Sequence, residues 1–214
     1  MNNQLSISEI NGIAILTEND KKIYSVGIST AGCAEIRMAL DHPQRHIITT
    51  TIDPIGAEYV SLQVTAKGLS KQIEVKIENV IDPLPYPNGS FDYVYARLVL
   101  HYLSKQDLQI ALGQLYRILR AQGKLFVVVR SVESQEAKST HSTFNPITHL
   151  TTCCWNGSSY SRYFHSEESI KSAITSYAFS INHIRAYQEQ LFTDFQRSTL
   201  SNQIDSVIEV LATK

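Results

Sequence analysis

From residue 23 to residue 129 the chain alternates short apolar runs with longer amphipathic ones, and that rhythm narrows the possible folds more than any other feature. The runs at 23–28 (IYSVGI), 46–52 (HIITTTI), 73–77 (IEVKI), 91–96 (FDYVYA) and 124–129 (KLFVVV) are rich in β-branched and aromatic residues and read as strands. The intervening segments carry helical periodicity. Strands alternating with helices are the signature of crossover units around a parallel sheet, so an α/β fold is expected. The unbroken VVV reads as a central strand buried on both faces.

Residues 31–40 and 55–67 are expected to be helices, the second closed by Gly68. A third starts at Ser104, with Asp107 in capping-box position and Leu108, Ala111, Leu112, Leu115, Ile118 and Leu119 on one face, and is expected to stop at Gly123. After Arg130 the rhythm changes. Residues 131–165 are polar, aromatic and irregular, long for a connection without structure of its own, which points to a functional loop on the substrate side. Order resumes with Ser166 capping a helix over 167–177, then strands at 179–187 and 206–213. The loop between those strands carries Leu191, Phe192 and Phe195. No composition shift marks a domain boundary, so one domain over 1–214, with a short N-terminal segment at 1–22, is the expectation.

At 214 residues one core can bury roughly 70% of the surface of the unfolded chain. The net charge of −1 offers no footprint for nucleic acid. No apolar run reaches the ~18 residues of a membrane span, and the first residues lack a signal-peptide pattern, so a cytoplasmic protein is expected. Cys33, Cys153 and Cys154 fit neither a disulfide framework nor a metal knuckle. His141, His149 and His165 flank the adjacent pair without a ligand spacing, and no metal is expected.

The stretch 23–40, IYSVGISTAGCAEIRMAL, places a strand, a turn with Gly27 and Gly32, and a helix N-terminus in succession. Such a turn gathers backbone N–H groups at the positive end of a helix dipole and suits an anionic group. About twenty residues on, Asp53 ends the second strand, where an acid accepts hydrogen bonds from ribose hydroxyls in sheets of this type. Asp53 followed by Pro54 also makes a helix N-cap with proline in the first turn, and both readings stand.

Residues 78–129 carry Leu84-Pro85-Tyr86-Pro87, Ser90-Phe91-Asp92-Tyr93-Val94, Val99-Leu100-His101-Tyr102-Leu103 and Arg117-Ile118-Leu119-Arg120-Ala121-Gln122-Gly123. Together, at these spacings, they resemble the class I S-adenosylmethionine-dependent methyltransferases that act on small molecules. That resemblance implies a Rossmann-like, seven-stranded, mostly parallel sheet with its last strand antiparallel and helices on both faces. The cofactor S-adenosylmethionine would lie at the C-terminal ends of the first strands, with a small-molecule acceptor beside it. Gly27, Ile28 and Ser29 would border the methionine part of the cofactor, Asp53 the ribose, and Asn79 and Val80 the adenine. Arg97 and His101 would face the methionine end and the acceptor, with His101 as a general base if the acceptor must lose a proton. Helix-start packing for His101 and a strand-end charge for Arg97 are the structural alternatives. Tyr160, Tyr163, Phe164, Phe192, Phe195 and Trp155 would either line an acceptor pocket or fasten loops to the core.

The chain departs from the family pattern at the turn itself, where Ser25 replaces an acid, Ser29 and Ala31 replace glycines, and Asn79 stands for the adenine-side acid. Each lost charge-assisted bond weakens cofactor binding by ~1.5–3 kcal/mol. A catalytically inactive homologue that serves as a binding or scaffold protein is therefore the alternative reading.

Overall fold

The computed structural model describes residues 5–140, 142–155 and 158–214. Among these, seven strands form one sheet in the order β3-β2-β1-β4-β5-β10-β9: β1 (Lys22–Val26), β2 (His46–Thr51), β3 (Ile73–Ile77), β4 (Phe91–Arg97), β5 (Leu119–Arg130), β9 (Ser180–Phe192) and β10 (Leu200–Thr213). Strands β3, β2, β1, β4 and β5 pair in parallel, while β10 runs antiparallel to both β5 and β9. The expected topology, with an antiparallel last strand, is the one observed.

The strand sequences explain why both faces are covered. Phe126 and Val128 of β5 pack with Tyr93, Tyr95 and Ile23 under α2 (Cys33–Asp41) and α3 (Pro54–Ala66). Their neighbours Val127 and Val129 pack on the opposite face with Tyr24, Val94, Leu112 and Ile174, under α4 (Lys105–Ile118) and α5 (Glu167–Thr175). Successive side chains alternate faces, so a β-branched run buried on both sides makes two cores, one above and one below the sheet.

Three local expectations shift. Helix α2 starts at Cys33 rather than at residue 31, because Ala31 (φ 57°) and Gly32 (φ 67°) are both left-handed and the turn before the helix is a 3-10 turn over Thr30–Gly32. Helix α4 ends at Ile118, not at Gly123, and the chain enters β5 directly. Gln122 (φ 63°) and Gly123 lie in a bulge where register jumps from Phe91–Leu119 to Tyr93–Lys124. Residues 131–165 are not irregular throughout. They hold a small antiparallel sheet of β6 (Ser142–Phe144), β7 (Thr151–Trp155) and β8 (Ser158–Arg162), whose serine and threonine content hides its strands from a hydrophobic pattern.

The N-terminal segment contains α1 (Ile7–Ala14), tied to the sheet by buried charge. Glu9 bonds Arg197 Nη1 at 2.8 Å, and Ser8 Oγ donates to Glu189 Oε2 at 2.8 Å. Burial alone would raise the Glu9 carboxyl, but Arg97 and Arg197 outweigh it and hold it below the usual carboxylate range.

Candidate functional site

In an open α/β sheet, the crevice at the C-terminal ends of the strands, where strand order reverses, is the natural ligand site. Here the reversal falls between β1 and β4. The first residue after each strand is left-handed, Gly27 at φ 69° and Leu98 at φ 53°. For Leu98 this costs about 1–2 kcal/mol, strain placed on the lip of the crevice.

Two cavities open there and share Ile28, Arg97, Leu98 and Tyr102 in their walls. The larger, of about 440 Å³, runs along the ends of β1, β2 and β3, past Gly27, Thr51, Ile52, Glu78, Asn79 and Val80, to Val99 and Leu103. The smaller, of about 290 Å³, lies toward β5 and the loop after β9, between His101, Arg130, Arg162, Phe192 and Phe195. The larger has the size and the mixed apolar and polar wall of a small-ligand site.

Around the turn, the acid missing at Ser25 is supplied by a different residue. Glu35 of α2 is fully buried; its carboxylate accepts from Ser25 Oγ at 2.7 Å, from the Ser29 N–H at 3.1 Å and from Ser29 Oγ. Ser29 Oγ in turn accepts from the Ala34 N–H, and Ile28 N–H donates to Thr50 O at 3.0 Å. A buried carboxylate therefore clamps the turn from beneath. Sequence reasoning missed Glu35; its signal is an acid among Ala34, Ile36, Met38 and Ala39 on the buried face of α2.

The expected cofactor residues divide. Gly27, Ile28, Asn79, Val80 and Arg97 line the larger cavity; Ser29 lines the smaller. Asp53 lies one residue beyond the wall formed by Thr51 and Ile52. Its two oxygens cap α3, accepting from the Ile55 and Gly56 N–H groups at 3.0 Å each. Arg97 is buried and held within the protein, its Nη2 2.8 Å from Ser6 Oγ and its Nη1 3.9 Å from Glu9 Oε1. Glu78, just before Asn79, also escaped notice: it brings a carboxylate to the cavity, where the Tyr86 hydroxyl donates to it at 2.6 Å and that of Tyr24 at 3.2 Å.

His101 lies in the smaller cavity, 1% exposed, in a 3-10 turn over Leu100–Tyr102. Burial first, and then Arg162, Arg130 and His165, push its imidazole well below its usual range, so it is neutral at neutral pH. Leu191, Phe192 and Phe195 line the same cavity. Tyr163 and Phe164 are buried instead, the Tyr163 ring tilted against that of His165 at 4.0 Å, and the Tyr160 hydroxyl donates to Glu136. The side chain of Trp155 and all of His141 lie outside the described residues. Among the described residues, no group of three or more potential ligands could hold a metal ion, and no helix is long and apolar enough to cross a membrane.

Residues 26–127 match the family model described as a methyltransferase domain. Methyltransferase str3 of Strobilurus tenacellus is 32% identical over 83 residues, which are 39% of this chain and 26% of that protein, so the match spans about a quarter of the relative's length. Among solved structures, a SAM-dependent methyltransferase from Methanosarcina mazei superposes with a TM-score of 0.72 at 17% identity, covering 99% of this chain and 98% of the other. One from Aquifex aeolicus gives 0.64 at 14% identity, covering 98% and 90%. The [4+2]-cyclase SpnF gives 0.67 at 14% identity, covering 97% and 79%. The match from the end of β1 into β5, the sheet order and these superpositions agree on the architecture: residues 26–127 are similar to a methyltransferase domain, and the chain has the Rossmann-like fold of the S-adenosylmethionine-dependent methyltransferases.

Proposed function

We propose that the protein transfers a methyl group from S-adenosylmethionine to a small-molecule acceptor, with the cofactor in the larger cavity and the acceptor in the smaller. The observation that carries this reading is the 440 Å³ cavity along the ends of β1, β2 and β3, beside a second cavity that shares Ile28, Arg97, Leu98 and Tyr102 in its wall. When bound, the cofactor supplies an electrophilic methyl group on a sulfonium.

The residues present suit it. Gly27 and Ile28 offer backbone at the methionine end. Asn79 Oδ1 is an acceptor for the adenine amino group, and Val80 an apolar wall for the ring. A carboxylate has about four lone-pair sites, and Asp53 uses two on its cap, so it can also accept from a ribose hydroxyl. Alignment and exclusion of water are the main demands of methyl transfer, and the apolar wall of Ile28, Leu98, Val99 and Leu103 meets the second. His101, buried and neutral, keeps one ring nitrogen as a hydrogen-bond acceptor toward the methyl acceptor, while burial and Arg162 and Arg130 lower its affinity for a proton.

A second reading, a homologue that binds without transferring a methyl group, is favoured by one observation: Glu35, the carboxylate beneath the turn, is sealed in by Ser25 and Ser29 rather than presented to a ligand. Calorimetric titration with S-adenosylmethionine and S-adenosylhomocysteine tests the first reading. Saturable binding of both is expected, and no heat at millimolar ligand would sink it. Binding without turnover on a broad acceptor panel would favour the second.

A further inference from the structure

We propose that the smaller cavity takes a small molecule bearing a carboxylate, anchored by Arg130 and Arg162. That this molecule is the methyl acceptor rests on the preceding reading; that the cavity selects an anion does not.

Three separate segments deliver cationic or donor side chains to this one cavity: the turn after β4 with His101, the end of β5 with Arg130, and β8 with Arg162. Arg130 is 9% exposed and His101 1%. Among the described residues, Nε of Arg130, Nε of Arg162 and both ring nitrogens of His101 are buried without a hydrogen-bond partner. Buried polar groups in native proteins are nearly always paired, so orphans on three residues that line one cavity point to a missing acceptor.

Each guanidinium already has one carboxylate within the protein, Asp205 for Arg130 and Glu136 for Arg162. A guanidinium carries five N–H donors, so a single carboxylate cannot satisfy it. Arg97 adds a third cation to the wall. The one acid among the lining residues, Asp194, folds back on its own turn, accepting from the N–H groups of Ser198 and Thr199 at 3.0 Å.

A carboxylate is acceptor-only and matches the guanidinium fork in bidentate geometry. Neutral His101 adds one N–H to the same anion. The remaining wall, with Leu98, Leu191, Phe192 and Phe195, suits an apolar body. A neutral amide keeps one acceptor oxygen but turns an NH2 group toward the guanidinium donors and lacks the charge, and it is disfavoured on both counts.

The test is ligand-observed NMR titration of the full chain with benzoate, cinnamate and octanoate, each against its neutral amide, with and without saturating S-adenosylhomocysteine. At least one acid is expected to bind about tenfold or more tightly than its amide. Arg130→Gln and Arg162→Gln, where the variant keeps the wild-type circular dichroism, are expected to weaken that acid by about tenfold or more. Acids and amides binding alike, or no acid binding at millimolar concentration, would overturn the proposal, and neither outcome depends on a variant folding. If acids are preferred while S-adenosylhomocysteine does not bind, the anion site stands and the methyl-transfer reading fails; the converse separates them equally.

Discussion

Gly27→Ala puts a methyl group into a crowded point of the turn after β1. A Cβ built there lies 2.6 Å from Val99 Cγ2 and 2.8 Å from Val99 Cβ, and the residue sits at φ +69°. The left-handed backbone costs an L-residue about 1–2 kcal/mol, and overpacking against a β-branched neighbour about 1–3 kcal/mol, for a total of about 2–5 kcal/mol. Urea denaturation followed by circular dichroism reads this directly. With an m-value of about 2 kcal/mol/M the midpoint falls by about 1–2.5 M. Val99→Ala removes Cγ2, the nearest atom, and Cγ1 at 3.5 Å but leaves Cβ in place, at a cost of its own of about 1–1.5 kcal/mol. The double variant is therefore expected to recover about half of the ~1–3 kcal/mol steric cost, while the contact with the Cβ of residue 99 and the backbone term persist. A Gly27→Ala loss below about 0.5 kcal/mol, or no coupling with Val99→Ala, would refute the claim that packing within the chain demands this glycine.

Glu35→Gln replaces one clamping oxygen by an NH2 group facing Ser29 or Ser25, and is expected to cost about 1.5–3 kcal/mol by the same denaturation, with weaker S-adenosylhomocysteine binding as the turn loosens. Asp53→Ser keeps a good N-cap on α3 but removes the carboxylate. Stability is expected to change by less than about 0.5 kcal/mol while calorimetry shows S-adenosylhomocysteine affinity falling about tenfold; unchanged affinity would remove Asp53 from the ribose site. Burial, with His149 adding, pushes His165 down to about 3, and His101 is also held low, so in acid the unfolded chain binds protons that the folded chain does not. Stability therefore rises with pH, and each histidine contributes a loss of about 1.4 kcal/mol per pH unit as pH falls below about 6.5. Between pH 6 and pH 4.5, His165→Gln is expected to flatten the dependence of unfolding free energy on pH by about that amount per unit; an unaltered slope would contradict its neutral burial.

The sheet was legible because its strands are short runs of β-branched and aromatic residues, and Val127, Val128 and Val129 announce burial on both faces without any contact being known. The start of α2 was not, because nothing in the letters of Ala31 marks it as left-handed. Helix α4 ran past its end because Leu119 continues the apolar stripe of the helix while serving as the first residue of β5. Of the residues lining the larger cavity, Gly27 was singled out by the strand-turn-helix order and Asn79 by the family resemblance. Glu35, which lies beneath the turn, and Arg130 and Arg162, which reach the smaller cavity, were not, since each comes from an element whose neighbours in sequence say nothing about the site. The small sheet over Ser142–Arg162 escaped for a related reason: short strands of serine and threonine pair through backbone, which composition does not display.

A crystal structure of the protein with S-adenosylhomocysteine tests the central claim most directly. The account predicts the ligand in the larger cavity, its amino-acid end at Gly27 and Ile28 and its adenine at Asn79 and Val80, leaving the smaller cavity beside Arg130 and His101 open for the acceptor. A ligand seated elsewhere, or none at saturating concentration, would contradict it.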